Sequence, residues 1–129
     1  MNGRRTDRRR LVGAAGEAAA AAHLIANGYE VLHSNWRCRI GELDLVAAKR
    51  GVLVFVEVRA RSASSMYRFG TPQESVDARK RNKLRRLAEA YLQQLNGEPP
   101  ERIRFDLIAV VTSGEEGEPV SVEHIENAF

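Results

Sequence analysis

Apolar and polar positions along this chain fall into blocks of two different periods. Leu11 to Asn27 is Ala-rich and stops at Gly28, a residue favoured just past a helix C-terminus, so a helix is expected there. Tyr29–Cys38 reads as a strand with an irregularity around Ser34 and Asn35. Gly41–Ala48 alternates as a second strand, and Lys49, Arg50 and Gly51 make a tight turn. Val52–Arg61 (VLVFVEVRAR) is the third strand, and its apolar run implies burial on both faces. After a loop over Ser62–Gly70, Thr71-Pro72-Gln73-Glu74 carries a capping-box pattern with proline in the first helical position. The helix that follows is expected to start between Pro72 and Ala78 and to run to about Leu95, where Asn96–Pro100 breaks it. Ile103–Thr112 is a fourth strand, Gly114–Pro119 a loop, and Val120–Ile125 a short edge strand. Short connections make the first three strands an antiparallel meander, whereas the fourth arrives through a helix and can lie parallel to a neighbour. The expected fold is α/β: helix, three-strand meander, helix, strand, on a mixed sheet.

Length and composition narrow the class. The 129 residues fit one domain, with 43% hydrophobic and 29% charged residues supplying one sizeable core. Residues 1–10 are expected to form a basic disordered arm, and 11–129 the single folded domain. No apolar run approaches the ~18–20 residues that span a bilayer, and the basic opening lacks the apolar core of a secretory signal. Cys38 stands alone and His23, His33 and His124 are scattered, which excludes a multi-cysteine zinc site. The expectation is a cytoplasmic protein with no membrane partner.

The net charge of +3 conceals an asymmetry, because residues 37–86 hold 13 basic and 5 acidic side chains while residues 87–129 hold 2 and 9. Of the 20 basic residues 17 are arginine, the side chain that forks best onto phosphate. A basic middle points to a polyanion-facing surface, or to an ordinary solvated face.

The informative residues are acids inside apolar elements. In the third strand Val52, Val54, Val56 and Val58 share one face, and Leu53, Phe55, Glu57, Arg59 and Arg61 the other. Burying an ionised Glu57 without compensation costs several kcal/mol. Either Arg59 or Lys80 pairs with it, or it ligates a divalent metal with a cation beside it. In the second strand Leu43, Leu45 and Ala47 are expected on one face, with Glu42, Asp44 and Val46 opposite. Asp44 is a poor strand former between two leucines. If the two strands pair through the Lys49–Gly51 turn, Asp44 and Glu57 become near cross-strand partners, and two facing like charges call for a cation between them. Glu17 falls on the apolar stripe of the first helix with Ala20, Ala21 and Leu24, although an Ala-rich helix defines its faces loosely. Lys80 falls in the apolar stripe of the long helix, from which its ammonium either reaches the sheet or snorkels to solvent.

Five blocks, GELDLVA (Gly41–Ala47), VFVEVRAR (Val54–Arg61), FGTPQESVDARKRNKL (Phe69–Leu84), RFDLIAVV (Arg104–Val111) and HIENAF (His124–Phe129), together resemble the YraN-like bacterial proteins. That family is similar to the archaeal Holliday-junction resolvases, with a restriction-endonuclease-like core of the PD-(D/E)XK type. The resemblance spans roughly Leu11 to Phe129. It implies that Asp44 matches the aspartate of the GE-x-D strand, Glu57 the glutamate of the E-x-K strand, and Glu17 the glutamate of the first helix. The lysine of E-x-K falls on Arg59, which departs from the pattern. Arginine stays protonated and binds phosphate, but it takes up a proton poorly. Either Arg59 acts by electrostatics, or Lys80 supplies the amine, or the protein has little nuclease activity.

The chemistry this implies is metal-assisted phosphodiester hydrolysis, with Asp44, Glu57, Arg59 and Lys80 in catalysis and Asp44, Glu57 and Glu17 around Mg²⁺ or Mn²⁺. Arg8, Arg9, Arg61, Arg79, Arg81, Lys83, Arg85 and Arg86 would hold the nucleic-acid backbone, DNA ahead of RNA, in a protein that could act as a homodimer. The rival readings are a nucleic-acid-binding module with a decayed nuclease site, and an interaction protein that works through its acidic tail.

Overall fold

The computed structural model of the chain describes residues 2–63, 77–113 and 118–129. The elements run α1 (Asn2–Ala26), β1 (Glu30–Arg37), β2 (Glu42–Lys49), β3 (Val52–Ser62), α2 (Ala78–Gln94), β4 (Arg102–Ser113) and β5 (Glu118–Ile125). Helix α1 starts at Asn2 and not at Leu11, so the stretch expected to be a disordered arm is helical from its second residue. Arginine is a good helix former, and it makes up half of those ten residues. The helix ends as expected at Gly28, whose φ of +87° permits a left-handed C-terminus. There Gly28 N donates to the Ile25 carbonyl at 3.1 Å and Tyr29 N to the Leu24 carbonyl at 3.0 Å, which closes the last turn and delivers Tyr29 into the core.

The five strands form one sheet in the order β1-β2-β3-β4-β5. The β1–β2, β2–β3 and β4–β5 pairs are antiparallel, and β3–β4 is parallel because α2 carries the chain back between them. Arg50 and Gly51 both take positive φ, 50° and 80°, the two-residue turn whose twist suits a hairpin. This turn sets Lys49 opposite Val52 and Leu45 opposite Val56, the register inferred from the sequence.

The sheet is covered on both faces, which explains the continuous apolar run of β3. On one side α1 packs Ala20 and Leu24 against Tyr29, Leu45, Ala47, Val54, Val56, Ile108 and Val110. On the other, Leu84, Leu87, Ala88 and Tyr91 of α2 pack against Leu43, Val46, Leu53 and Phe55. Leu43 therefore does not share a face with Leu45 and Ala47 as strict alternation requires. Asn35 of β1 has a φ of +53°, and the β1–β2 ladder skips it between Ser34↔Leu45 and Trp36↔Leu43, while the register itself shifts earlier, between Val31 and His33. On β2 the alternation fails at Asp44, which the ladder also skips.

Helix α2 opens at Ala78, capped by Asp77, whose carboxylate accepts from Lys80 N at 2.9 Å. The capping pattern at Thr71–Glu74 lies outside the described residues. Among the described residues no helix is long and apolar enough to cross a membrane.

Candidate active site

Asp44 sits where the β2–β3 ladder stops. The last paired positions are Leu45 and Val56, so Asp44 and Glu57 are the first residues beyond them. The Asp44 side chain takes over from the missing ladder bond, with its Oδ2 accepting from Val58 N at 2.9 Å. That bond fixes the carboxylate against β3. Burial and the neighbouring charge of Glu57 push the Asp44 carboxyl up from 3.8 to about 7, against the opposing pull of the Val58 amide and of Lys80.

On one side of Asp44 the acids gather. Carboxylate oxygens of Glu17, Glu42 and Asp44 all lie within 4.8 Å of one another. Glu17 reaches this point because α1 presses closely on the sheet. Gly16 is buried, and a Cβ built on it would overlap the Cβ of Ala60 in β3. The Glu17 Oε2 accepts from Asn35 Nδ2 at 3.0 Å, and the Glu42 Oε2 from Arg37 Nε at 3.1 Å. Arg37 is largely exposed, so it neutralises Glu42 only weakly. Glu42 was not singled out in the sequence. Its signal was available, since it stands two residues from Asp44 on the same strand.

On the other side the cations gather. Glu57 is buried, and both Lys80 Nζ, at 3.3 Å, and Arg59 Nη2, at 3.5 Å, contact its Oε1. Lys80 thus turns inward to the sheet. The pairing of Glu57 with Arg59 and the pairing with Lys80, open alternatives in the sequence, are both present. Arg59 Nε is buried with no hydrogen-bond partner among the described residues. Glu57 lies outside the 4.8 Å acidic group, although its charge acts on Asp44.

This donor set suits a hard divalent cation. It is all oxygen, it converges on a carboxylate that burial and repulsion make reluctant to ionise, and a bound cation would relieve both. The three acids aligned from sequence therefore occupy one neighbourhood, split into an acidic side (Glu17, Glu42, Asp44) and a cation-paired Glu57.

The model of the family described as "Uncharacterised protein family UPF0102" matches residues 16–110, a span that contains every one of these side chains. The chain belongs to the UPF0102 (YraN-like) family. A UPF0102 protein of Moorella thermoacetica is 50% identical over 121 residues, covering 94% of this chain and 97% of the relative. One from Pelotomaculum thermopropionicum is 47% identical over 123 residues, covering 95% and 98%. Another, from Caldanaerobacter subterraneus, is 39% identical over 121 residues, covering 94% and 96%.

The remaining basic residues singled out in the sequence of this UPF0102 chain lie on α2, β3 and α1. Arg79, Arg81, Lys83, Arg85 and Arg86 are exposed on α2. Lys83 passes over Gly41, just ahead of Glu42, close enough that a Cβ there would stand 3.0 Å from Lys83 Cε. Arg61 lies half-buried on β3, two residues beyond Arg59, and Arg8 and Arg9 fall within α1.

A second buried acid, not foreseen in the sequence, lies apart from the site. Asp106 of β4 is fully buried and accepts from Arg104 Nε and Nη2 at 2.8 Å each and from Asn127 N at 2.9 Å, with His124 Nε2 at 2.7 Å. Burial pushes its carboxyl up, but the bonds from His124, Arg104 and Asn127 outweigh that and hold it below its usual 3.8. Arg104 also donates to the Tyr29 hydroxyl at 2.6 Å. This closed network pins β5 and the C-terminal residues to the sheet.

Proposed function

We propose that this UPF0102 protein is a metal-dependent, structure-specific endonuclease that hydrolyses phosphodiester bonds in branched DNA on a restriction-endonuclease-like core. The observation that supports this reading is the juxtaposition across Asp44: three converging carboxylates on one side, and a glutamate carrying a lysine and an arginine on the other. Asp44, Glu17 and Glu42 would hold Mg²⁺ or Mn²⁺, with Glu57, whose Oε1 meets Lys80 and Arg59, contributing from beside them. When bound, such a cation supplies a water of lowered pKa and neutralises charge on the phosphate.

The remaining work falls to the chain itself. The Lys80 ammonium and the Arg59 guanidinium receive the non-bridging phosphate oxygens and stabilise the charge that grows on them. Arginine is a poor proton acceptor, so the lysine cation that E-x-K would place on the strand comes here from Lys80 on α2. Glu57 holds both cations in place. Arg79, Arg81, Lys83, Arg85 and Arg86 grip the backbone without reading sequence, assisted by Arg61 and by Arg8 and Arg9. Acting on the cell's own DNA, it would work in the cytoplasm, and a homodimer would present two such sites to two strands.

A second reading, a nucleic-acid-binding module with a decayed nuclease site, draws on one observation: Arg59 replaces the motif lysine, and Glu57 is neutralised by its own neighbours. Single-turnover cleavage of branched, single-stranded and duplex DNA with Mg²⁺ or Mn²⁺ separates the two. The endonuclease reading expects metal-dependent cutting, reduced ~10²–10³-fold by Lys80→Met and by Arg59→Ala alike. Binding of branched DNA without cutting supports the second reading. A protein that neither binds nor cuts removes both.

A further inference from the structure

We infer that Asn35 is a positioning residue of this site: its side-chain amide aims the Glu17 carboxylate at Asp44 and Glu42, and its left-handed backbone turns the edge of the sheet so that those acids can meet. The purpose of the device rests on the cation-site reading above; its geometry does not.

Two independent features converge on this residue. The first is conformational. Asn35 has a φ of +53° inside a strand, where non-glycine residues rarely sit and asparagine is among the few that tolerate it. The β1–β2 ladder skips this residue and Asp44, which fall between the pairs Ser34↔Leu45 and Trp36↔Leu43. Leu43 packs against α2, while Leu45, two residues on, packs against α1. The second feature is chemical. The neighbours of Glu17 within the site are acids, Glu42 and Asp44, which repel it. A glutamate side chain loses rotamer freedom when it is held, so repulsion would send it toward water unless a donor restrains it. Asn35 Nδ2 is that donor, at 3.0 Å from Glu17 Oε2.

The residue type follows from both demands. Glycine would take the backbone angle easily but has no donor. Aspartate would take the angle but would add a fourth negative charge. Arginine or lysine could donate, but would bring a fixed positive charge that competes with the cation. A neutral amide orients the carboxylate and leaves its charge free, as partners of metal-ligating carboxylates do elsewhere. The bond is exposed to solvent and contributes little to stability, so its role is separable from folding.

The test has two arms. In metal-free protein, the side-chain amide resonance of Asn35 should move on Glu17→Ala toward that of a free asparagine and exchange faster with solvent. An unmoved resonance would overturn the inference. In the second arm Mn²⁺ is titrated into the wild type, Asn35→Gly, Glu17→Ala and the double variant. Asn35→Gly keeps the backbone angle and should leave the unfolding midpoint nearly unchanged, yet weaken Mn²⁺ about tenfold. It should add no further loss on top of Glu17→Ala. Wild-type affinity in Asn35→Gly, or losses that simply add, would overturn the inference. A wild type that binds no Mn²⁺ would remove the cation-site reading, while the amide comparison still decides whether Asn35 holds Glu17.

Discussion

Replacing Asp44 by asparagine keeps the shape of the side chain and an acceptor for Val58 N, but removes the charge. In metal-free protein that change should stabilise the fold, and by an amount that depends on pH. The native carboxyl titrates at about 7 and the unfolded one near 3.8. Below the lower value both states hold the proton, and wild type and variant should be nearly equal in stability. Between the two values the folded chain keeps a proton that the unfolded chain has released, so wild-type stability falls as pH rises and levels off above the native pKa. The interval from 3.8 to about 7, at about 1.4 kcal/mol per pH unit, caps the effect at about 4 kcal/mol. Water screens part of the site and Glu57 shares the repulsion, so we expect about 1–3 kcal/mol. Urea titrations in EDTA at about pH 4 and about pH 8.5 would measure it. The advantage of Asp44→Asn should grow from near zero to that value, and added Mg²⁺ at the higher pH should stabilise the wild type alone. A variant less stable than wild type at high pH, or a difference that ignores pH, would refute the reasoning.

The remaining predictions address other parts of the same framework. Gly16→Ala forces a methyl group into Ala60, and should cost ~1–3 kcal/mol while lifting Glu17 from Asp44; denaturation and Mn²⁺ titration read both effects, and unchanged stability would exclude the close approach of α1 to β3. Asp106→Asn leaves the half-buried Arg104 without its main carboxylate and should cost up to ~3 kcal/mol. Because the native pKa of Asp106 is lowered, its contribution is present above pH 3.8 and lost as pH falls through the lower native value, so the variant should show a shallower acid transition. Neutralising Arg81, Arg85 and Arg86 should weaken binding to all DNA sequences alike and flatten the log–log salt slope by ~0.7–0.9 for each phosphate that the variant no longer neutralises.

The parts legible in the sequence are those governed by local rules. Period-two alternation in VLVFVEVRAR correctly put Glu57, Arg59 and Phe55 on one face, because nothing interrupts β3. The turn at Arg50-Gly51 set the β2–β3 register, and Gly28 ended α1, since both positions need a positive φ. The failures arise where one residue changes the rule. Asn35 looks like a mere irregularity in YEVLHSNWRC, yet its backbone is left-handed, the ladder skips it and Asp44, and Leu43 lies on the α2 side. Glu42 was missed because an acid at a strand entrance reads as solvated, and only the fold brings Glu17 beside it. Asp106 carried the same signal as Glu57, an acid within an apolar strand. Its partners His124 and Asn127, however, come from a segment that spacing alone does not bring near. The helical start at Asn2 was hidden because a run of arginines resembles a charged tail as much as a helix.

The central claim is that Asp44 is the pivot of a divalent-cation site, and calorimetric titration of Mn²⁺ into wild type and Asp44→Asn at neutral pH tests it most directly. Both proteins are first shown by thermal melting in EDTA to be folded. The account predicts saturable binding to the wild type and loss of that binding in Asp44→Asn, with a melting temperature no lower than wild type. Equal Mn²⁺ affinity in the two proteins, or no binding by the folded wild type, would contradict it.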